Sequence, residues 1–296
     1  MSTHTETHDA GKYYVPHSSP WPIFGSVTLF IFMWGVVSVL NGWAGAWAFI
    51  PGSVLLAILF FGWFHTVIGE NQQGLYNLDV DRSFRMGMIW FIISEVFFFA
   101  CFFGALFYAR NLSVPWLSGE GVKIFNKLLI WRDYDAAWPT NGPGTIGGHA
   151  DGSFETIKAF GLPAVNTAIL LTSGVTLTIA HHALREGKRG ILNVFLAATF
   201  VLGFIFVYLQ ATEYHEAYTE LGLKLSTGIY GSTFFMLTGF HGLHVTIGAI
   251  MLLVIWLRCL SGHFTPQRHF AFEAVAWYWH FVDVVWLILF VFVYWI

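Results

Sequence analysis

Apolar stretches recur along this chain, each about the twenty residues needed for a helix to cross a ~30 Å hydrocarbon core. They cover Trp21–Leu40, Trp47–Ile68, Met86–Tyr108, Leu162–Leu184, Ile191–Tyr214, Tyr230–Leu257 and Phe270–Ile296. Each run is continuous, whereas the strands of a membrane barrel alternate over about ten residues. Backbone groups in lipid have no water to bond, so runs of this kind close on themselves as helices. The pattern predicts an all-α integral membrane bundle of seven transmembrane helices over residues 21–296, preceded by a polar tail at 1–20. One longer polar connection, at about 110–160, is expected outside the membrane. It contains the Gly-rich stretch WPTNGPGTIGGHADGS and reads as a solvated connector with a short helix around Val122–Leu129.

Composition agrees. Of 296 residues only 10% are charged and 56% are hydrophobic, where a soluble surface needs about a quarter charged. The tail lacks the basic start and small-residue cleavage site of a signal peptide, so the first helix is expected to remain as an anchor. Its histidines are weak metal candidates. Basic residues set the orientation. With the N-terminus inside, short inner loops hold Arg82, Arg85, Arg185, Lys188, Arg189, Arg258 and Arg268, and short outer loops hold Lys224. The outer connection opposes this count with Arg110, Lys123, Lys127, Arg132 and Lys158, yet the balance favours N-terminus inside and C-terminus outside. Two cysteines, Cys101 and Cys259, do not suggest a disulfide framework. Cys101 falls with Gly87, Ser94 and Ala105 on a stripe of small residues, which lets helices approach closely in lipid.

Ionisable groups at membrane depth often mark a site. Glu95, in FIISEVFFFACFFGA, has only Phe91, Ile92, Phe98 and Phe99 at three and four positions along its own helix. It reads either as a proton-handling or supporting carboxylate, or as a neutral acid bonded to an adjacent helix. Glu273, Trp277, His280 and Asp283 share one broad face of the last helix. His241 and His244 lie on adjacent turns of the sixth. His181 and His182 end the fourth, and Glu213, His215 and Glu216 cluster near the end of the fifth. A haem or metal site needs convergent ligands at one depth, and His241 with His280 is the best pair for it. Interhelical hydrogen bonding and headgroup contact compete with that reading.

Taken in order, FIISEVFFF, AVNTAILLTSGVTLTIAHHAL, QATEYHEAY, GSTFFMLTGFHGLHV and FEAVAWYWHFVDVVW resemble cytochrome c oxidase subunit III, the seven-helix accessory subunit of haem–copper oxidases. The resemblance covers nearly the whole membrane portion. It implies that this chain has no catalytic residues, binds no metal and carries no redox cofactor, since haem and copper belong to partner subunits. It implies subunit I as main contact, subunit II as a further partner, and cytochrome c docking on the complex rather than mainly on this chain. Nucleic acid has no part in it. Helices one and two are expected to splay from helices three to seven around a V-shaped cleft holding phospholipids. Glu95 matches the family's membrane-embedded carboxylate. Glu70, His241, His244, Arg258 and Glu273 fall in segments that line or approach the cleft in the family; Trp63, His65, Glu70, His241, His244 and Arg258 are the lipid-binding candidates and Glu273 a second buried carboxylate.

Two departures bear on this. Relatives carry an Arg–Glu step after helix two where this chain has Gly69–Glu70, leaving His65 as the substitute for a headgroup contact. The tail and the long connection point to a bacterial inner-membrane protein of the aa3 type, with the N-terminus cytoplasmic and the C-terminus periplasmic. Competing readings are the same subunit of a quinol oxidase, a haem- or metal-binding membrane enzyme, and a transporter built on Glu95 and Glu273.

Overall fold

The structure, a computed structural model, describes residues 13–16 and 18–296. The tail histidines His4, His8 and His17 lie outside the described residues. Among the described residues, seven helices are long and apolar enough to cross a membrane, and no strand occurs. They are α1 (Trp21–Leu40), α2 (Phe49–Gln72), α3 (Leu78–Tyr108), α4 (Leu162–Arg185), α5 (Arg189–Thr219), α6 (Gly228–Leu260) and α7 (Phe270–Leu289). The chain forms two compact units, one reaching Met86 and the other Gly87–Ile296.

The first unit is built on the α1–α2 hairpin. The buried positions of α1 are Gly25, Thr28, Gly35 and Ser38, a seam of small side chains that brings two backbones together where lipid supplies no hydrophobic drive between helices. A β-carbon on Gly52 would stand 2.5 Å from Phe32 Cα, and one on Gly62 would stand 2.1 Å from Trp21 Cη2. These glycines are required by contact. Trp21 Nε1 also donates to Thr66 Oγ1 at 3.1 Å, closing the far end of the hairpin.

α3 begins eight residues before the apolar run predicts, inside a stretch expected as loop. The cause is local chemistry. The Asn77 side chain accepts the Val80 N–H at 3.0 Å, and Asp79 and Asp81 occupy the first turn, where the helix dipole favours acids. Arg85 pairs with Asp81 at 2.7 Å one turn on. At its other end α3 runs into further helical turns, Ala109–Ser113 and Val114–Leu117. The short helix expected around Val122–Leu129 is present as two fragments, Gly121–Lys123 and Asn126–Ile130.

In the second unit α4, α5, α6 and α7 form a closed ring of neighbours, α4 on α5, α5 on α6, α6 on α7 and α7 back on α4. Trp279 of α7 stands at its centre, fully buried. Space for its ring comes from two glycines: β-carbons on Gly203 of α5 and Gly248 of α6 would lie 2.6 and 2.8 Å from it. Its indole N–H donates to Ser173 Oγ of α4 at 2.9 Å. Trp286 donates to Thr167 Oγ1 at 2.9 Å in the same way, so both buried indole N–H groups are satisfied. α3 meets the ring through aromatic side chains, with Phe98 on Phe240 at 5.0 Å and Phe99 on Phe281 at 6.1 Å. The stripe Gly87, Ser94, Cys101 and Ala105 is exposed in this chain, so it does not pack α3 onto its own bundle. Phenylalanine, not small residues, makes that contact.

The Gly-rich connector is more than a solvated link. Thr140 and Asn141 are buried. The Tyr230 N–H donates to Thr140 O at 3.3 Å, and the Glu155 N–H donates to Leu221 O at 2.9 Å. Trp138 and Phe154 each pack on Tyr230 with ring centroids 5.6 Å apart. The connector is therefore docked on the α5–α6 turn. Gly228 permits the closest approach, since a β-carbon there would lie 2.3 Å from Asn141 O.

Candidate functional site around Glu95

Glu95 finds its partner on α6. His244 Nε2 lies 3.0 Å from Glu95 Oε2, and the other ring nitrogen, Nδ1, lies 2.6 Å from the carbonyl of Phe240. A carbonyl only accepts, so Nδ1 carries a hydrogen. The Nε2–Oε2 contact then holds one proton: on the carboxyl beside a neutral imidazole, or on the imidazole beside a carboxylate. Either way the pair is neutral overall. That neutrality allows it to sit among aromatic rings, with Phe99 5.0 Å and Tyr278 6.3 Å from the imidazole. Both side chains are mostly buried, at 20% exposure for Glu95 and 11% for His244.

The other expected residues divide by environment. His241 is a core residue of α6, 1% exposed. Its Nε2 faces Val282 O at 3.2 Å, and its ring stands 5.0 Å from Trp286. This placement turns it toward the bundle interior and away from any headgroup. His280 instead lies 3.5 Å from Asp283, so the ligand pair His241 and His280 is split between different partners. Glu70 accepts two phenols, from Tyr14 at 3.1 Å and Tyr76 at 2.6 Å. Burial, reinforced by this carboxylate, holds the Tyr76 hydroxyl well above the usual phenol range, so it remains a donor at neutral pH. Glu70 thereby ties residue 14 to the α2–α3 turn. Trp63 and His65 are exposed on α2.

Arg258 lies at the end of α6 with its guanidinium carbon 4.5 Å over the Phe264 ring. Arg189, at the start of α5, donates to the Phe264 carbonyl. Arg258 Nε and Arg189 Nη1 are buried and make no hydrogen bond among the described residues. Two cations therefore flank one phenylalanine with donor capacity to spare, an arrangement suited to an anionic oxygen.

Glu273, at the first turn of α7, lies 3.2 Å from His269 and 3.8 Å from His181 of α4. Sequence reasoning had named Glu273 and His181 separately and passed over His269. The signal available was the i, i+4 spacing of His269 and Glu273. Also missed was the direction of Glu213. It is 1% exposed and accepts from Tyr294 at 2.7 Å and from Gln210 at 3.0 Å, whereas His215 and Glu216 face outward.

Comparison with known sequences bears on what this bundle is. The family profile described as Cytochrome c oxidase subunit III matches residues 11–120 and 123–296. Cytochrome c oxidase subunit 3 of Gadus morhua is 41% identical over 290 residues, covering 98% of each chain. The protein of that name from Dugong dugon is also 41% identical over 290 residues, again with 98% of each chain covered. The Mus musculus protein is 40% identical over the same length and share. The similarity spans both compact units and all seven helices, and the chain belongs to the cytochrome c oxidase subunit III family.

Proposed function

We propose that this chain is a cofactor-free accessory subunit that packs on the haem-bearing subunit I of a cytochrome c oxidase. In this reading it steadies that subunit through turnover, supports proton uptake from the inner side and holds phospholipid. The observation that carries the reading is the Glu95–His244 contact. A neutral pair holding a single proton braces α3 against α6, while its remaining exposure leaves that proton exchangeable. The polar tail and the long docked connector support placement in a bacterial inner membrane, with the N-terminus cytoplasmic and the C-terminus periplasmic.

The test is purification of the tagged chain in mild detergent. It is expected to bring down a haem–copper subunit, while the chain stripped of its partners shows no haem absorption. Complex depleted of this chain is expected to lose oxygen-reducing activity faster during turnover. A stoichiometric haem spectrum from the isolated chain would refute the reading.

Lipid binding is proposed at Arg258 and Arg189. A basic group near an anionic surface contributes about 1 kcal/mol, or roughly fivefold in affinity. Arg258→Gln is accordingly expected to lower the anionic phospholipid retained by the purified complex, measured by lipid mass spectrometry. Unchanged anionic lipid content would remove Arg258 from the site.

A further inference from the structure

We infer that His181, His269 and Glu273 form a binding site for a zinc-class divalent cation, clamping the end of α4 to the start of α7. The three residues each offer a ligand atom, and these atoms lie within 4.8 Å of one another. A tetrahedral zinc ion with bonds of about 2.0–2.1 Å holds its donors about 3.3 Å apart. The separations of 3.2 Å from His269 Nε2 to Glu273 Oε1 and 3.8 Å from His181 Nε2 to the same oxygen fit that spacing after small side-chain movements.

The orientation of the rings adds an independent argument. His269 Nδ1 faces the Thr265 carbonyl at 3.2 Å, so that nitrogen carries the hydrogen. In the neutral ring Nε2 then presents a lone pair to the cluster. This is the outer hydrogen bond that commonly fixes a metal-binding histidine. The Nε2 atoms of His181 and His269 are both buried, and neither makes a hydrogen bond among the described residues. The lone pair of His269 Nε2, the His181 Nε2 atom and a carboxylate oxygen of Glu273 are thus turned toward one point.

Two nitrogens and one oxygen suit zinc better than magnesium or calcium, which prefer oxygen donors throughout. With three protein ligands the fourth position is open to water or to another ligand. The ring of His181 also packs against Phe272, centroids 5.4 Å apart, which limits its freedom before any ion arrives. This inference concerns geometry at the α4–α7 end and does not depend on the accessory role proposed above.

The experiment measures zinc binding to the assembled oxidase by equilibrium dialysis with radioactive zinc. Unmodified complex is compared with complexes carrying His181→Ala, His269→Ala, Glu273→Gln and, as a control on an exposed residue, His215→Ala. Each of the first three substitutions is expected to weaken one binding equivalent by at least about tenfold, and the control to leave it unchanged. Equal stoichiometry and affinity in all five complexes would overturn the site. Should a variant fail to assemble, anomalous diffraction at the zinc edge from unmodified complex decides the matter. A peak within bonding distance of the two Nε2 atoms and Glu273 Oε1 is expected, and its absence at saturating zinc refutes the proposal.

Discussion

Trp279→Ala is expected to destabilise the helix ring by about 3–5 kcal/mol, the usual cost of deleting a fully buried large aromatic. The side chain is wedged among three helices, against Gly203 of α5, Gly248 of α6 and Ser173 of α4. Removing it opens a void that no single helix can collapse into without leaving its other neighbours. In lipid the packing loss matters most, because the membrane supplies little drive for helices to associate. Gly203→Val attacks the same contact from the other side. It places side-chain atoms where the indole already stands, at an expected cost of about 1–3 kcal/mol. Thermal release of the chain from purified complex measures both. The glycine variant should fall between the unmodified protein and Trp279→Ala. Equal release temperatures for all three would show that the ring is held elsewhere.

The second large effect is expected at Glu95, and it separates hydrogen bonding from charge. In Glu95→Gln an amide N–H can donate to His244 Nε2, so the bridge from α3 to α6 survives. Assembly should be close to normal, with a modest change in proton uptake or pumping. In Glu95→Leu the imidazole nitrogen is left buried without a partner, at a cost of about 1–3 kcal/mol, and the subunit is expected to be retained poorly. His244→Leu should behave like Glu95→Leu, and the double substitution should cost less than the sum of the two, because no unsatisfied group remains. Retention of the chain in purified complex, followed by proton-pumping measurements on vesicles, distinguishes the cases. Complete loss of oxygen reduction in a fully assembled Glu95→Gln complex would contradict the accessory role.

The spans were legible because bilayer thickness imposes one length on every crossing helix. All seven apolar runs correspond to helices, and the α1 bounds agree at both ends. The start of α3 was not legible from hydropathy. Its first two turns are polar, and they are helical because Asn77, Asp79 and Asp81 satisfy the helix end rather than because they are apolar. Contacts across helices were hidden for a different reason. Glu95 and His244 are 149 positions apart, and no periodicity within either helix encodes the rotation and depth at which the two meet. The small-residue stripe of α3 is a true pattern that no helix of this chain covers. Spacing shows that small residues share a face, and says nothing about what that face meets. Glu213 is the converse case: three polar residues in sequence were separated by helical rotation, one turned inward and two outward.

The docked connector also constrains the order in which the protein is made. Its anchor points, Leu221 and Tyr230, come well after Thr140 and Glu155 in the chain. During synthesis the first three spans and the whole connector therefore emerge before there is anything for the connector to bind. Thr140 and Asn141 must wait, hydrated, until the hairpin of α5 and α6 has been inserted. A ribosome pausing within α5 would leave this segment open to proteases, and completion of α6 would close it. The connector thus serves as a marker of finished insertion, its protection appearing only once the sixth helix is in place.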